Sequence, residues 1–232
     1  ALQSARAQIL AGLCDVALVI GADTTPKGFF APVGGERRND PDWQRFHLLG
    51  AMNPVYFALL ARRRMDLYGA TSEDFAQIKV KNSKHGLNNP NARYHKEASV
   101  EDVLASPVIA DPLHMLEIVM PCLGGAAVVV AGADVAAKAK NRPVWIKGFG
   151  EQVPYKTPTY AEDLLHTPIV RAADTAFSMS GLTRDQMDMV SIYDCYTITV
   201  LLSLEDAGFC EKGKGMEFVS SHDLTYRGDF PC

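Results

Sequence analysis

Asp15-Val16-Ala17-Leu18-Val19-Ile20-Gly21 is the stretch on which the fold class turns. It follows a turn and is apolar almost throughout, as in a strand covered on both faces of a parallel sheet. Ahead of it, Leu2, Ala5, Ile9, Leu10 and Leu13 recur at helical spacing, and Gly12 stands where that pattern fades. A helix followed by a buried strand is one step of an α/β fold. Further along, small residues lead into Val128-Val129-Val130, which predicts a buried strand over 125–131 and a short helix over 133–139. A second unit follows, with strands at 144–149 and 189–193, a helix over 168–180, and a helix over 197–207 closed by Gly208. This order argues for α/β architecture with mostly parallel pairing.

Between Thr24 and about Pro112 the text changes character. Pro26, Pro32, Gly34-Gly35, Pro41, Pro54 and Asn88-Asn89-Pro90 punctuate a polar segment. It reads as an excursion from the sheet, with helices over 53–68 and 72–83. Ala51, Val55, Leu59 and Leu60 are expected on the buried side of the first, and Thr71-Ser72-Glu73-Asp74 carries the hydroxyl and acid that satisfy free amides at a helix start. Arg62-Arg63-Arg64 reads as a solvated helix face.

The 232 residues, 47% hydrophobic and 22% charged, suffice for one large core or two small ones. A net charge of -4 leaves no basic field to draw the chain onto nucleic acid or anionic lipid. The 5 cysteines are scattered and form no C-x-x-C pair, so neither a disulfide framework nor a zinc site is expected, and a reducing, cytoplasmic setting is the default. None of the 6 histidines stands at a ligand spacing, so no metal is expected. No run approaches a membrane span, and Ala1 opens directly into a helical pattern, so no targeting segment is expected. Gly148, Gly150 and Gly34-Gly35 make no phosphate-binding fingerprint.

The sharpest local feature is Ser191-Ile192-Tyr193-Asp194-Cys195-Tyr196-Thr197, at a predicted strand-to-helix junction. Carboxyl ends of strands face the ligand crevice in α/β sheets, so polar side chains here can meet a substrate. The plainer reading has Asp194 or Thr197 capping the helix and the tyrosines filling the core. Cys195 invites a nucleophile reading at a helix N-terminus, against which stands the commoner buried, inert thiol. Lys81, Lys84 and His85 lie in the excursion and are candidates for contact with a phosphate-bearing ligand, with solvent-exposed scatter as the alternative.

These residues resemble a known family. Gly12-x-x-Asp15-Val16-Ala17-Leu18-Val19-Ile20-Gly21-Ala22-Asp23 followed by Lys27-Gly28 is similar to the segment after the nucleophilic cysteine in thiolases of the sterol-carrier-protein-X and nonspecific lipid-transfer type. Further matches run in order: Tyr68-Gly69, Lys81-Asn82-x-Lys84-His85-x-x-Asn88-Asn89-Pro90, Asp111-Pro112-Leu113, Gly124-Gly125-Ala126-Ala127-Val128-Val129, Ser180-Gly181-Leu182, Tyr193-Asp194-Cys195-Tyr196-Thr197 and Leu204-Glu205-Asp206-Ala207-Gly208-Phe209-Cys210 with Gly213-x-Gly215. The collinear set is specific where no single piece is.

The resemblance implies a layered α-β-α-β-α body of similar α/β halves with an inserted loop domain that helps hold coenzyme A. On that pattern, 1–23 ends the N-terminal half, 24–115 is the inserted loop domain, 116–140 holds the last strand and helix of the N-terminal half, and 141–232 begins the C-terminal half. It also implies a homodimer, coenzyme A as substrate or product with no permanently bound cofactor, and a nucleophilic cysteine and a histidine motif outside both ends of this stretch. Thiolytic relatives carry His-Asp-Cys-Phe where this chain has Tyr193-Asp194-Cys195-Tyr196. A phenol keeps a donor at the thioester oxygen but moves its pKa by several units. Tyr193 there resembles the lipid-transfer-type enzymes that cleave a β-hydroxyacyl-CoA steroid side chain by a retro-aldol reaction beside a small zinc-ribbon and OB-fold partner protein. Thiolase-type acyl transfer is placed first, retro-aldol cleavage second, and a non-catalytic acyl-CoA or lipid-binding relative third. Tyr193, Asp194, Cys195 and Tyr196 are the expected catalytic segment.

Overall fold

The computed structural model describes residues 1–24, 41, 50, 53–155 and 160–232. Lys27-Gly28, Pro26, Pro32, Gly34-Gly35 and Ala51 lie outside the described residues. Helix α1 spans Leu2–Leu10 and leads into strand β1, Val16–Asp23. Next come α2, Asn53–Tyr68, and α3, Ser72–Asn88, then the short α4, Val100–Leu104. Strands β2, Val108–Ala110, and β3, Leu113–His114, form a small antiparallel pair. Strand β4, Gly124–Ala131, and α5, Ala133–Ala136, follow. The last helices are α6, Ile169–Ser180, α7, Thr197–Asp206, and α8, Gly215–Ser221.

Helix α3 starts where its capping sequence predicts. The Thr71 hydroxyl accepts the Asp74 N–H, and the Asp74 carboxylate accepts the Thr71 N–H, so two otherwise orphaned amides are satisfied. The helix runs past the expected end at Ser83 to Asn88. Thr197 and Asp194 do not cap α7: its N-cap is Tyr196, without a side-chain bond, and Thr197 instead donates to Glu117 at 3.2 Å.

The sheet differs from expectation in pairing and in burial. β1 and β4 pair antiparallel, from Val16 opposite Ala131 to Asp23 opposite Gly124, where mostly parallel pairing was expected. Leu18 is 60% and Val129 66% exposed, so these strands are not buried on both faces among the described residues. Apolar runs encode a covered strand, and here α1 is the helix packed on this ribbon. Residues 144–149 and 189–193, expected as buried strands, form none. A ladder needs a partner: among the described residues Val190 N–H finds only the lone Pro231 carbonyl at 3.0 Å, and Val144 is 95% exposed. Gly148 and Gly150 instead lie against α6, where a Cβ at either would run into the carbonyl oxygens of Ala176 and Ala172.

The core sits where α2, α3 and α7 meet. Ala58, Leu60 and Ala61 of α2 and Phe75 and Ile78 of α3 close on Ile198, Leu201, Leu202 and Leu204 of α7. Val55 is only partly buried and Leu59 is exposed, both expected on the buried side; the helix turns Ala58 and Ala61 inward instead. Arg64 corrects the reading of the arginine run. Its guanidinium, 1% exposed, grips Glu205 of α7 with bonds of 2.9 and 2.6 Å. Burial works against the Glu205 charge, yet the bonds and charge of Arg64 and the amides of Gly215 and Gly213 hold its carboxyl below the usual range. Arg63 is exposed and Arg62 pairs with Asp111 at the surface.

Candidate functional site

The Tyr193–Tyr196 segment enters α7 and is pinned from several sides. Val119 N–H donates to the Cys195 carbonyl at 2.9 Å, and Ile118 bridges to Tyr196. The Thr199 hydroxyl contacts the Tyr196 carbonyl at 2.5 Å. The backbone is thereby held while successive side chains diverge into different surroundings.

Tyr196 turns inward. It is 1% exposed and its ring stacks on Phe57 with centroids 3.9 Å apart. Its buried hydroxyl finds no hydrogen-bond partner among the described residues, and burial first, then Cys195 and Tyr193, push its pKa up to about 12. Tyr193 turns outward, 72% exposed, onto a cavity of about 720 Å³. Phe57 and Leu60 of α2, Ile169 of α6, Leu202 of α7 and Phe209 supply apolar walls, and Ser191, Thr199 and Ser203 supply hydroxyls. Partial burial, Cys195 and Asp194 raise the Tyr193 phenol above its ordinary value. It therefore stays protonated near neutral pH and can donate.

Asp194 is exposed and accepts the Asn82 amide N–H at 2.5 Å. Cys195 is half-buried with its sulfur 3.6 Å from the Thr199 hydroxyl. Burial raises its thiol pKa, outweighing the hydrogen bonds from Thr199 and the backbone that favour thiolate. Burial therefore disfavours the Cys195 thiolate despite its place at the entrance to α7.

The structure brings the α3 candidates near this segment but spends most of their polarity on the chain itself. Lys81 is buried and donates from Nζ to the Cys232 carbonyl at 2.6 Å. His85 Nε2 lies 3.1 Å from the Leu224 carbonyl. Lys84 is exposed. A signal for Lys81 was present in the spacing, since Phe75, Ile78 and Lys81 recur every three residues along the buried stripe of α3. Asn82 and Cys232 were given no role by the sequence, and the tertiary contacts alone bring them to Asp194 and Lys81. Among the described residues no group of three or more His, Cys, Asp or Glu converges to hold a metal ion, and no helix is long and apolar enough to cross a membrane.

A family described as Thiolase C-terminal domain-like matches residues 150–232. An acetyl-CoA acetyltransferase of Methanothermobacter thermautotrophicus is 31% identical over 232 residues, covering 100% of this chain and 60% of that protein. Sterol carrier protein 2 of Gallus gallus is 27% identical over 241 residues, covering 98% of this chain and 44% of that protein. The solved structure of an Ltp2-ChsH2(DUF35) aldolase matches with a TM-score of 0.90 at 29% identity, covering 100% of this chain and 61% of that one. The chain thus spans between 44% and 61% of the length of these relatives. Whole-chain likeness at that TM-score establishes a thiolase-like α/β fold, and with the collinear motifs it identifies the lineage: the chain belongs to the thiolase superfamily, in its nonspecific lipid-transfer type.

Proposed function

We propose that the protein makes or breaks the carbon–carbon bond next to an acyl-CoA thioester, as a thiolase-type acyltransferase or a thiolase-like aldolase, with Tyr193 donating to the oxygen that gains charge. The observation that carries this is the Tyr193 phenol, exposed on a cavity of about 720 Å³ at the entrance to α7. Both reactions pass through a carbanion alpha to a thioester, which survives only as an enolate with its oxygen stabilised. A protonated phenol at that oxygen strengthens its bond as charge accumulates.

In thiolysis a cysteine adds to the 3-oxo carbon, the bond to the alpha carbon breaks, and the departing enolate takes a proton. Free coenzyme A then releases the acyl group. In retro-aldol cleavage a base removes the β-hydroxyl proton, the same bond breaks, and a ketone or aldehyde leaves beside the acyl-CoA enolate. Likeness to the acetyltransferase over the whole chain supports the first. A phenol at position 193 and likeness to the aldolase support the second, along with a protein partner of the kind named in that complex. The same reading takes Asp194, Cys195 and Tyr196 as the frame that sets Tyr193. It assigns coenzyme A phosphate to exposed Lys84, with Lys81 and His85 shaping the α3 turn beside it. The division at 23, 115 and 140, the homodimer and the cytoplasmic setting belong to this proposal.

The test is Tyr193→Phe in the full-length protein, which keeps the ring and removes the hydroxyl. Turnover should fall on the order of a hundredfold, with a smaller change in substrate affinity. Assays with 3-oxoacyl-CoA plus coenzyme A, and with a β-hydroxyacyl-CoA alone, separate the reactions, because only thiolysis consumes coenzyme A. Unchanged turnover with both substrates would remove Tyr193 from the chemistry.

A further inference from the structure

Asn82 lies in the Lys81-Asn82-x-Lys84-His85 motif, yet neither reaction gives it a task. Its Nδ2 donates to Asp194 Oδ2 at 2.5 Å, joining helix α3 to the residue after Tyr193 across 112 positions of sequence. We infer that Asn82 is a positioning residue for the acyl-CoA site, holding the Asp194 carboxylate so that Tyr193 stays set on its cavity. This rests on the functional reading above.

The anchor is itself fixed. On the same turn of α3, Lys81 donates to the Cys232 carbonyl at 2.6 Å, and the Ser83 hydroxyl accepts the Ala98 N–H at 3.0 Å. His85 meets the Leu224 carbonyl at 3.1 Å. Asn82 thus projects from a moored helix turn, and its amide is a defined donor.

Asp194 needs such a donor. The backbone around it is held by Val119 N–H at the Cys195 carbonyl, and Tyr196 is locked by stacking on Phe57. Neither contact fixes the exposed carboxylate. Among the described residues, Tyr193, Cys195 and Cys232 feel the Asp194 charge, and Lys81 sits against Cys232. An anion swinging freely there would pair variably with Lys81 or crowd the phenol. A neutral amide holds it without cancelling its charge, so Asp194 continues to favour the protonated phenol. Asp at position 82 would repel it, and Lys would neutralise it.

The experiment uses the full-length protein with Asn82→Ala, Asn82→Asp, Asp194→Asn, Tyr193→Phe and the Asn82→Ala/Asp194→Asn double variant. Asn82→Ala should lower kcat about tenfold with KM nearly unchanged, as expected for loss of one charge-assisted hydrogen bond. The double variant should lose little beyond Asp194→Asn, because both changes remove one interaction. Asn82→Asp is nearly isosteric, and two carboxylates at hydrogen-bond distance share a proton only at low pH. Its activity relative to the unaltered enzyme should therefore be higher near about pH 6 than near about pH 8, at unchanged melting temperature. A purely structural Asn82 would move the melting temperature and leave the relative pH profile flat, which overturns the inference. Additive losses in the double variant overturn it too. If Tyr193→Phe is inactive while Asn82→Ala keeps wild-type kcat, this inference alone fails; a fully active Tyr193→Phe sinks the functional reading instead.

Discussion

Replacing Arg64 by Ala should destabilise the protein more than any surface change nearby. The ion pair it makes with Glu205 joins α2 to α7 through side chains 1% and 0% exposed. Glu205 would keep the Gly215 N–H at 2.7 Å and Lys212 at 3.6 Å, but would lose both bonds to the guanidinium. Breaking a buried pair by removing one partner costs about 3–5 kcal/mol, and the remaining contacts of Glu205 place the expected loss near about 3 kcal/mol. In urea that lowers the unfolding midpoint by about 1 M or more. Arg64→Met with Glu205→Leu should recover much of the loss, since a well-packed apolar pair avoids the desolvation of both ions. The pH dependence follows from the lowered Glu205 pKa. A carboxyl whose folded value lies below its unfolded value stabilises fully above the latter, about 4.3, and loses that contribution as pH falls through the folded value. The unaltered protein should therefore lose more stability below about pH 4.3 than Arg64→Ala does. A urea midpoint for Arg64→Ala within about 0.3 M of the parent would refute the ion pair as a structural joint.

Tyr196→Phe removes a buried hydroxyl that has no partner among the described residues and leaves the ring on Phe57, so stability in urea should hold or rise by up to about 1 kcal/mol. A loss of 2 kcal/mol or more, on the scale of about 1–3 kcal/mol for orphaning a buried partner, would show that the hydroxyl is bonded after all. Iodoacetamide at about pH 8 should label exposed Cys122 well before half-buried Cys195, because a thiol pKa raised by burial leaves less thiolate. Peptide mass spectrometry reads both rates, and equal labelling would restore Cys195 as a reactive thiol.

The sequence by itself determined helices α1, α2, α3, α6 and α7 and the cap of α3, because these depend on residues within one turn of each other. Thr71 with Asp74 and the 53–68 periodicity needed nothing distant, and β1 and β4 announced themselves as apolar runs. The collinear motifs likewise identified the superfamily without coordinates. Strand direction was not readable, since the same run of valines serves a parallel or an antiparallel neighbour, and the β1–β4 pairing is set by which segment lies beside it. Residues 144–149 and 189–193 carry strand-like text without a ladder because strand formation requires a partner that local sequence does not contain. The site shows the same division. Tyr193 through Tyr196 were marked as a polar cluster at a helix entrance, but only packing decided that Tyr196 goes under Phe57 and Tyr193 faces the cavity. Arg64 looked like one of three solvated charges until Glu205, 141 residues away, supplied the partner that makes burial of its charge tolerable. A long-range electrostatic contact leaves no periodicity in the chain, so its residues become functional or structural only when the fold brings the opposite charge within a few ångströms.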